Sequence, residues 1–351
     1  MIATFDEVIG HERATRVLSA SIASGRVHHA WVFAGPSGVG KHGAAVAFAG
    51  ALLDPTTTVG TDGIARPEAG SAVQDMIRRD AHPDLHLISK ELAEFSSDAG
   101  VRSRKRLTIA KAVIEERLLG PIARAATLDE GGLASKVFIV DEAELLDRSL
   151  GNAPTQASML KTLEEPPVGS VLILVTSNEH RLLATIRSRC QRVAFGPLGD
   201  SEMTQWCDAS GLGLDGPARE WVLWFAQGAP GRVATAAESG LFEAFGELEP
   251  FIRDVEAGRA SVELAPRLAG LVDEWAKERV KRDPKHSKES ANREAAELVF
   301  AVLAERGRGR LRTGDADGAL RMIDAVREAE SHAARNVNTK FVFEQLVSAM
   351  G

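Results

Sequence analysis

The 351-residue chain has few cysteines, and this scarcity excludes two kinds of stabilising module. Cys190 and Cys207 are the only two, they lie seventeen positions apart, and no C-x-x-C pair is present. Neither a disulfide framework nor a four-cysteine zinc site can be built from them. We therefore expect two plain thiols in a reducing cytosol, and no zinc.

Signals for export or for a membrane are lacking as well. The first residues, MIATFD, contain no basic start and no apolar signal core. No stretch approaches the roughly 18 uninterrupted apolar residues that a membrane span needs. These absences predict a cytoplasmic protein with no membrane partner.

An excess of positive charge is absent too. The chain has 42 Lys plus Arg against 49 Asp plus Glu, which gives a net charge of -7. This balance argues against a protein whose whole surface binds nucleic acid, although it leaves room for local basic patches. With 44% hydrophobic and 26% charged residues, the composition is that of a soluble globular protein, and the length suggests two or three domains.

What is present in the first half of the chain is an α/β pattern. Five short apolar runs alternate with segments of helical spacing, which predicts a parallel sheet covered on both faces. The runs are residues 30–34, 85–88, 137–140, 171–176 and 191–195. We expect an Ala-rich helix over 42–53 and an exposed loop over 54–70.

The second half of the chain predicts helices only. The strand pattern stops after Phe195-Gly196-Pro197, and Gly and Pro then mark expected helix breaks at residues 211–217, 228–231, 283–284 and 307–309. The predicted domains are therefore an α/β domain (1–197), a helical lid (198–243) and an all-α domain (244–351).

The most informative motif is a phosphate-binding pattern, G-x-x-x-x-G-K, in the run Gly35-Pro36-Ser37-Gly38-Val39-Gly40-Lys41. The glycines could instead serve only a tight turn, and Lys41 decides between these interpretations, because a buried ammonium at a helix start needs an anion. The next position holds His42, whereas Mg²⁺ coordination requires the hydroxyl of a Ser or Thr there. Since imidazole does not replace a hard oxygen ligand, we expect a nucleotide-fold protein that acts through partners rather than a fast ATPase.

Two adjacent carboxylates, Asp141 and Glu142, follow the apolar run at 137–140. In P-loop NTPases the first holds Mg²⁺ at this strand end and the next polarises the attacking water. The alternative is that both cap the following helix, where carboxylates near the N-terminus are favourable. The upstream phosphate loop favours the NTPase interpretation, in which the pair is catalytic, or vestigial if the chain no longer hydrolyses ATP.

Three further stretches resemble the clamp-loader branch of the AAA+ ATPases. Members of that family carry, in this order, the sequence LKTLEEPP (160–167 here), a sensor strand with a polar end (171–176) and Ser188-Arg189-Cys190. The similarity runs from FDEVIGHERA (5–14) through HAWVF (29–33) and HPDL (82–85) to Pro197, which is more than half of the chain. It implies an AAA+ P-loop domain with a helical lid, followed by an all-α collar domain that oligomerises.

The resemblance also implies roles for single residues. The Arg matching Arg189 projects into the ATP site of a neighbouring subunit, where an Arg supplied in trans stabilises the charge on the transferring phosphoryl oxygens. Thr176, in the sensor-1 region, matches the part that reads the γ-phosphate. Arg187 is expected to be structural, and the ambiguous register over 228–232 leaves Arg232 unassigned as a second sensor.

Within this family, three features favour a stator-type subunit over an ATP-hydrolysing motor of the gamma/tau type. The phosphate loop lacks its Ser or Thr, the chain is expected to stop after one helical domain, and residues 336–346 (NVNTKFVFEQL, beginning at Asn336) resemble the ending of stator subunits. The family's zinc-binding cysteines are missing, and the Thr/Gly-rich stretch 54–70 takes their place. Because Asp141 and Glu142 survive, ATP binding stays open. The alternative is an active motor that holds Mg²⁺ through Asp141 and water alone.

The partners follow from the same resemblance. The helices after residue 244 would pack with those of four other subunits, gamma/tau and delta, in a hetero-pentamer that loads the sliding clamp onto primer-template DNA. Contacts to phosphates rather than bases would suit loading at any sequence.

Overall fold

The chain divides into two compact units. The structure, a computed structural model, describes Ile2 and residues 4–103, 106–128, 131–283, 288–335 and 337–351. The first unit comprises Met1–Gly211 with Gln227–Gly231, and the second comprises Leu212–Ala226 with Arg232–Gly351. Asn336, the first residue of the ending motif, lies outside the described residues. The division into three domains stays a prediction.

A five-stranded parallel sheet forms the centre of the first unit. The strands in chain order are β1 (Ala30–Ala34), β2 (Thr58–Val59), β3 (Ala65–Arg66), β4 (Leu85–Ile88), β5 (Lys136–Val140), β6 (Ser170–Thr176) and β7 (Gln191–Ala194). The parallel sheet has the order β4-β5-β6-β1-β7, while β2 and β3 pair separately and antiparallel. All five predicted strands are present, each within one residue of its expected bounds.

Helices connect the strands and make up most of the remaining chain. They are α1 (Glu12–Ala23), α2 (Lys41–Leu53), α3 (Ala72–Arg78), α4 (Ala99–Arg102), α5 (Lys111–Ile114), α6 (Gly120–Ile122), α7 (Pro154–Glu164), α8 (Ala184–Arg187), α9 (Asp200–Ser210), α10 (Gly216–Ala226), α11 (Pro230–Ser239), α12 (Leu241–Glu256), α13 (Leu264–Arg282), α14 (Lys288–Arg312), α15 (Ala316–Ala334) and α16 (Thr339–Met350). A π-helical turn, Glu115–Leu119, joins α5 to α6. Of the helices in the described ranges, none combines the length and the apolar character that crossing a bilayer requires.

The sheet is buried on both faces, as its sequence predicts. Because successive side chains of a strand point to opposite faces, Trp31 and Phe33 of β1 enter one hydrophobic core while Val32 enters the other. Helix α2 lies in the first core, where its small Ala side chains allow close packing. Met159 of α7 lies in the second core. The predicted fold class, a parallel α/β sheet followed by an all-α region, is confirmed.

Strand β1 lies between β6 and β7, and this position locates the site. The chain leaves β1 toward the strands on one side of it, and β7 later pairs with its other side. In open α/β sheets, ligands bind outside the carboxyl ends of the strands at such a switch in direction. The loop that follows β1 therefore lies where a ligand is expected.

The expected exposed loop over 54–70 is wrong in part. Strands β2 and β3 form a short antiparallel pair there. Ala65 of β3 is fully buried, and its N–H donates to the Ser19 hydroxyl at 3.0 Å. Two-residue strands are too short to leave a periodic signal in the sequence, so the Gly and Thr content dominated the prediction.

In the second unit, the expected helix break at 307–309 is also wrong. These residues lie inside α14, and Gly307 is buried there. A Cβ at Gly307 would lie 2.9 Å from Cγ1 of Ile323 on α15, so the glycine permits close approach of two helices. Gly307 therefore marks helix packing rather than a turn.

Candidate functional site

The glycine-rich loop joins β1 to α2 at the carboxyl edge of the sheet. Gly38 has φ 77° and Gly40 has φ 106°, left-handed conformations that side-chain-bearing residues rarely adopt. Pro36 and Ser37 are exposed, whereas Val39 is buried and anchors the loop. The loop ends at the start of α2, where N–H groups without helical partners can bind phosphate.

Gly35, the first residue of the motif, is fixed by packing. Its N–H donates to the carbonyl of Thr176 at 3.3 Å. A Cβ at this position would overlap the carbonyl oxygen of Phe195 and would lie 3.0 Å from the carbonyl carbon. Glycine is therefore required here by the approach of two backbones, independently of any ligand.

Lys41 lies against the loop that precedes it. Its side chain is buried, and Nζ donates to the carbonyls of Gly35 at 2.8 Å and Pro36 at 2.6 Å. Burial lowers the pKa of Lys41, and the carboxylates of Glu144 and Asp141 oppose that shift. In this conformation two neutral carbonyls bind the Lys41 ammonium, and its need for an anion stays a prediction.

His42 is paired with Asp141. Nδ1 of His42 lies 2.9 Å from Oδ2 of Asp141, with side chains 43% and 34% exposed. The ring nitrogen makes no hydrogen bond, so the contact is an ion pair. Asp141 raises the pKa of His42, with a smaller contribution from Asp80. Although burial opposes it, His42 lowers the pKa of Asp141.

This ion pair predicts a pH dependence of stability. Because the pKa of His42 is raised above its ordinary 6.5, the stabilisation is fully present below that value and is lost as pH rises through the raised pKa. Because the pKa of Asp141 lies below its ordinary 3.8, the same stabilisation is lost again only in strong acid. Between these limits both groups are charged.

The measurement is the urea unfolding free energy of the native chain and of His42→Gln from about pH 5.5 to about pH 9. We expect a difference of about 0.5 kcal/mol at the acidic end, small because both side chains are more than a third exposed. The difference should shrink toward alkaline pH. A difference that grows with pH would contradict the ion pair.

The family implies magnesium at this site, and the donor set does not fit it. The hydroxyl that would coordinate the ion is replaced by the His42 imidazole, which lies against Asp141. The other carboxylate oxygen of Asp141, Oδ1, accepts the backbone N–H of Glu142 at 2.9 Å. Within the described ranges, no group of three or more His, Cys, Asp or Glu side chains is arranged to hold a metal ion.

Glu142, the second acidic residue, is paired with Lys90. Lys90 Nζ lies 3.0 Å from Oε2 and 3.3 Å from Oε1 of Glu142. Burial raises the pKa of Glu142, and Lys90 opposes this. The backbone of Glu142 is left-handed, with φ 48°, which is strained for a residue with a side chain. The alternative, that the two carboxylates cap the following helix, does not account for these partners, and the Glu142 side chain makes no capping hydrogen bond.

Thr176 contacts the phosphate loop through its backbone. Its side chain is almost fully buried, and Oγ1 accepts the N–H of Asn178 at 3.0 Å, while its carbonyl accepts from Gly35. The adjacent Ser177 donates its hydroxyl and its N–H to Glu144. The sensor role of Thr176 stays a prediction.

Two residues near the loop were not singled out from the sequence. His11 Nε2 lies 2.7 Å from the carbonyl of Val39. The N–H of Gly231 donates to the carbonyl of Gly38 at 2.8 Å, and a Cβ at Gly231 would lie 2.8 Å from Gly38 Cα. His11 falls in the first stretch that resembles the family, which was the only signal for it. The only sequence signal for Gly231 was its place in the Gly-Ala-Pro-Gly stretch at residues 228–231.

Arg189 lies at the opposite edge of the sheet from the phosphate loop. It precedes β7, and the register pairs Gln191 with Trp31 near the amino end of β1. The two edges are separated by the length of β1, about 15 Å at 3.3 Å per residue. Arg189 therefore does not belong to the pocket of its own chain.

The Arg189 side chain is partly exposed and held by a surface carboxylate. Nη2 lies 2.7 Å from Oε1 of Glu164, Nη1 donates to the Thr185 carbonyl at 2.9 Å, and the side chain is 35% exposed. It borders an open hollow with His28 and His29. The next residue, Cys190, has a pKa raised to about 12 by burial, as expected for a plain thiol.

Arg232 lies in the second unit. Its guanidinium is 5.9 Å from the centre of the Phe225 ring. Burial lowers its pKa, Arg308 lowers it further, and Glu305 opposes both. These neighbours all belong to the second unit, so Arg232 stays unassigned as a sensor.

Comparisons with known proteins extend these observations. A family model described as "DNA polymerase III, delta subunit" matches residues 10–199. DNA polymerase III subunit tau of Bacillus subtilis is 27% identical over 256 residues, which are 71% of this chain and 38% of tau. Subunit delta' of the same organism is 31% identical over 188 residues, which are 53% of this chain and 47% of delta'. The chain thus spans less than half the length of either relative.

One solved structure covers nearly the whole chain. The DNA polymerase III gamma subunit-related protein of Thermotoga maritima matches 96% of this chain and 97% of its own, at 15% identity and a TM-score of 0.47.

Proposed function

The chain belongs to the DNA polymerase III delta subunit family, and from this premise we propose that it is a clamp-loader subunit that acts as the stator, of the delta prime type. In this role it hydrolyses little or no ATP itself. It supplies Arg189 to the ATP site of an adjacent gamma/tau motor while the complex loads the sliding clamp onto primed DNA.

The observation that carries the proposal is the contact between His42 and Asp141. A motor subunit uses a hydroxyl and a carboxylate at these positions to hold the Mg²⁺ that neutralises the transferring phosphate. Here the hydroxyl is absent and the carboxylate is occupied by a side chain of the same pocket. Lys41 and the loop amides can still bind an anion, but the metal-dependent step lacks its ligands.

The position of Arg189 supports a role in trans. It cannot reach its own phosphate loop, which lies at the other edge of the sheet, yet its guanidinium is partly exposed. Its bond to Glu164 is a surface ion pair, which is worth about 0–1 kcal/mol and so can be exchanged for a phosphate. A planar guanidinium suits that exchange, because it binds phosphate oxygens with two parallel hydrogen bonds.

The helical region supports assembly with other subunits. Large apolar side chains are exposed on the last three helices of the second unit, at Leu311, Leu320 and Phe341. Packing against other subunits would cover these side chains. We propose that the helices after residue 244 pack with those of gamma/tau and delta in a hetero-pentamer.

One observation favours the alternative function, an ATP-hydrolysing motor. Asp141 and Glu142 both remain at the end of β5, where a motor needs them. In that case Mg²⁺ would have to be held through Asp141 and water, which requires that His42 be displaced.

The test is ATP hydrolysis by the purified chain and by the reconstituted complex. The isolated chain is expected to show no hydrolysis above background, and Lys41→Ala in this subunit should leave the DNA-stimulated rate of the complex within about twofold of normal. Lys41→Met, which keeps most of the buried volume, controls for packing. Hydrolysis by the isolated chain that disappears with Lys41→Ala would identify a motor.

A further inference from the structure

The three carboxylates that follow β5 each have a partner within the protein, although Oε2 of Glu144 makes no hydrogen bond. Asp141 uses Oδ2 for His42 at 2.9 Å and Oδ1 for the N–H of Glu142 at 2.9 Å. Glu142 is paired with Lys90 at 3.0 Å. Glu144, one turn further, accepts from Ser177.

The loop nevertheless keeps the parts that bind a phosphate without a metal. Gly38 and Gly40 hold the left-handed conformations of a phosphate loop, and Lys41 lies at the start of α2 beside them. The two carbonyls that hold Lys41 Nζ are neutral, so a phosphate oxygen can replace them with a gain in charge interaction. The loop amides and Lys41 are the groups that bind phosphate, whereas a separate set of oxygen ligands binds Mg²⁺.

We propose that this pocket binds nucleoside diphosphate in its metal-free form and excludes Mg²⁺, because His42 takes the place of the coordinating hydroxyl and occupies Asp141. The phosphate chain would contact Lys41 and the loop amides. This inference deepens the nucleotide part of the proposed function and does not depend on Arg189.

At this site Mg²⁺ should weaken the binding of nucleoside diphosphate. In solution the ion binds nucleoside diphosphate, so it removes the metal-free form from a site that does not accept the metal. A pocket that uses Mg²⁺ binds more tightly when the ion is added, whereas this pocket should bind more weakly. The sign of the effect therefore distinguishes the two.

The experiment is calorimetric titration of the full-length chain with ADP, once in EDTA and once in excess Mg²⁺. For the unmodified chain we expect Mg²⁺ to weaken the apparent affinity about tenfold or more, which corresponds to about 1.4 kcal/mol. In His42→Ser, which restores a hydroxyl and frees Asp141, Mg²⁺ is expected to strengthen binding. His42→Ala is the matched control, because it frees Asp141 without providing an oxygen ligand at position 42, and Mg²⁺ should strengthen binding less in this variant than in His42→Ser.

Tighter binding of ADP to the unmodified chain in Mg²⁺ would overturn the proposal, and so would the absence of ADP binding in EDTA. Neither result bears on the stator role, since that role is tested through Arg189 in the reconstituted complex. Conversely, a failure of the Arg189 test would leave the ADP measurements unaffected. Thermal unfolding of each variant without nucleotide shows that the compared chains are folded.

Discussion

Arg189→Ala in this subunit is expected to slow ATP hydrolysis about 1,000-fold at the one site that the residue serves, because an arginine supplied in trans contributes about that much or more to phosphoryl transfer. The reason is electrostatic: charge spreads over the transferring oxygens, and a fixed guanidinium stabilises it. The measurement is single-turnover phosphate release by the reconstituted complex with clamp and primed DNA. The fast phase of phosphate release from the affected site should disappear.

Assembly and stability should be nearly unchanged by the same substitution. Arg189 loses one ion pair to Glu164, with side chains 35% and 50% exposed, and such pairs contribute about 0–1 kcal/mol. Arg187→Ala is the matched control, because Arg187 is an exposed Arg at the end of α8, two positions away. Arg189→Lys tests the geometry, since an ammonium keeps the charge without the planar fork and should restore little activity. An unchanged rate with Arg189→Ala would remove this residue from the functional site.

The fold could be predicted from the sequence because its strands are short, apolar and bounded by turn residues. The five runs from 30–34 to 191–195 are the five strands of the parallel sheet, and the continuous apolar character of the runs at 30–34, 137–140 and 171–176 already indicated burial on both faces. The predictions that failed concern glycine-containing stretches, because glycine occurs both in loops and where two helices pack closely. Gly307 lies inside α14, and only the presence of Ile323 on α15 explains it.

The site could be predicted as a set of residues but not as a set of contacts. The phosphate loop, Asp141 and Glu142 all lie at the carboxyl edge of the sheet, as the motifs indicate. That His42 pairs with Asp141 and that Lys90 pairs with Glu142 depends on which side chains the sheet order brings together. Lys90 follows β4, which is next to β5 in the sheet although 47 residues separate the two strands in the sequence, and no local pattern predicts such a pairing.

Gly35 provides the second large effect, on stability rather than on catalysis. Gly35→Ala is expected to lower the free energy of unfolding by about 2 kcal/mol or more, because the added Cβ meets the backbone carbonyl of Phe195, which cannot rotate away as a side chain would. Phe195 is itself buried in the core. In thermal unfolding, that loss corresponds to a decrease of about 4–8 °C for a unit of this size.

The matched control for Gly35→Ala is Gly196→Ala, one position after Phe195. A Cβ at Gly196 meets nothing within 4 Å, so Gly196→Ala should change the free energy of unfolding by no more than about 0.5 kcal/mol. Both chains are measured without nucleotide. If Gly35 were retained only to let a phosphate approach the backbone, the two variants would unfold alike, and the difference would emerge only when ADP is added. A large difference without ADP instead means that the first glycine of the motif is held by the contact between the loop and the end of β7, so the motif can persist in this chain whether or not the pocket turns over ATP.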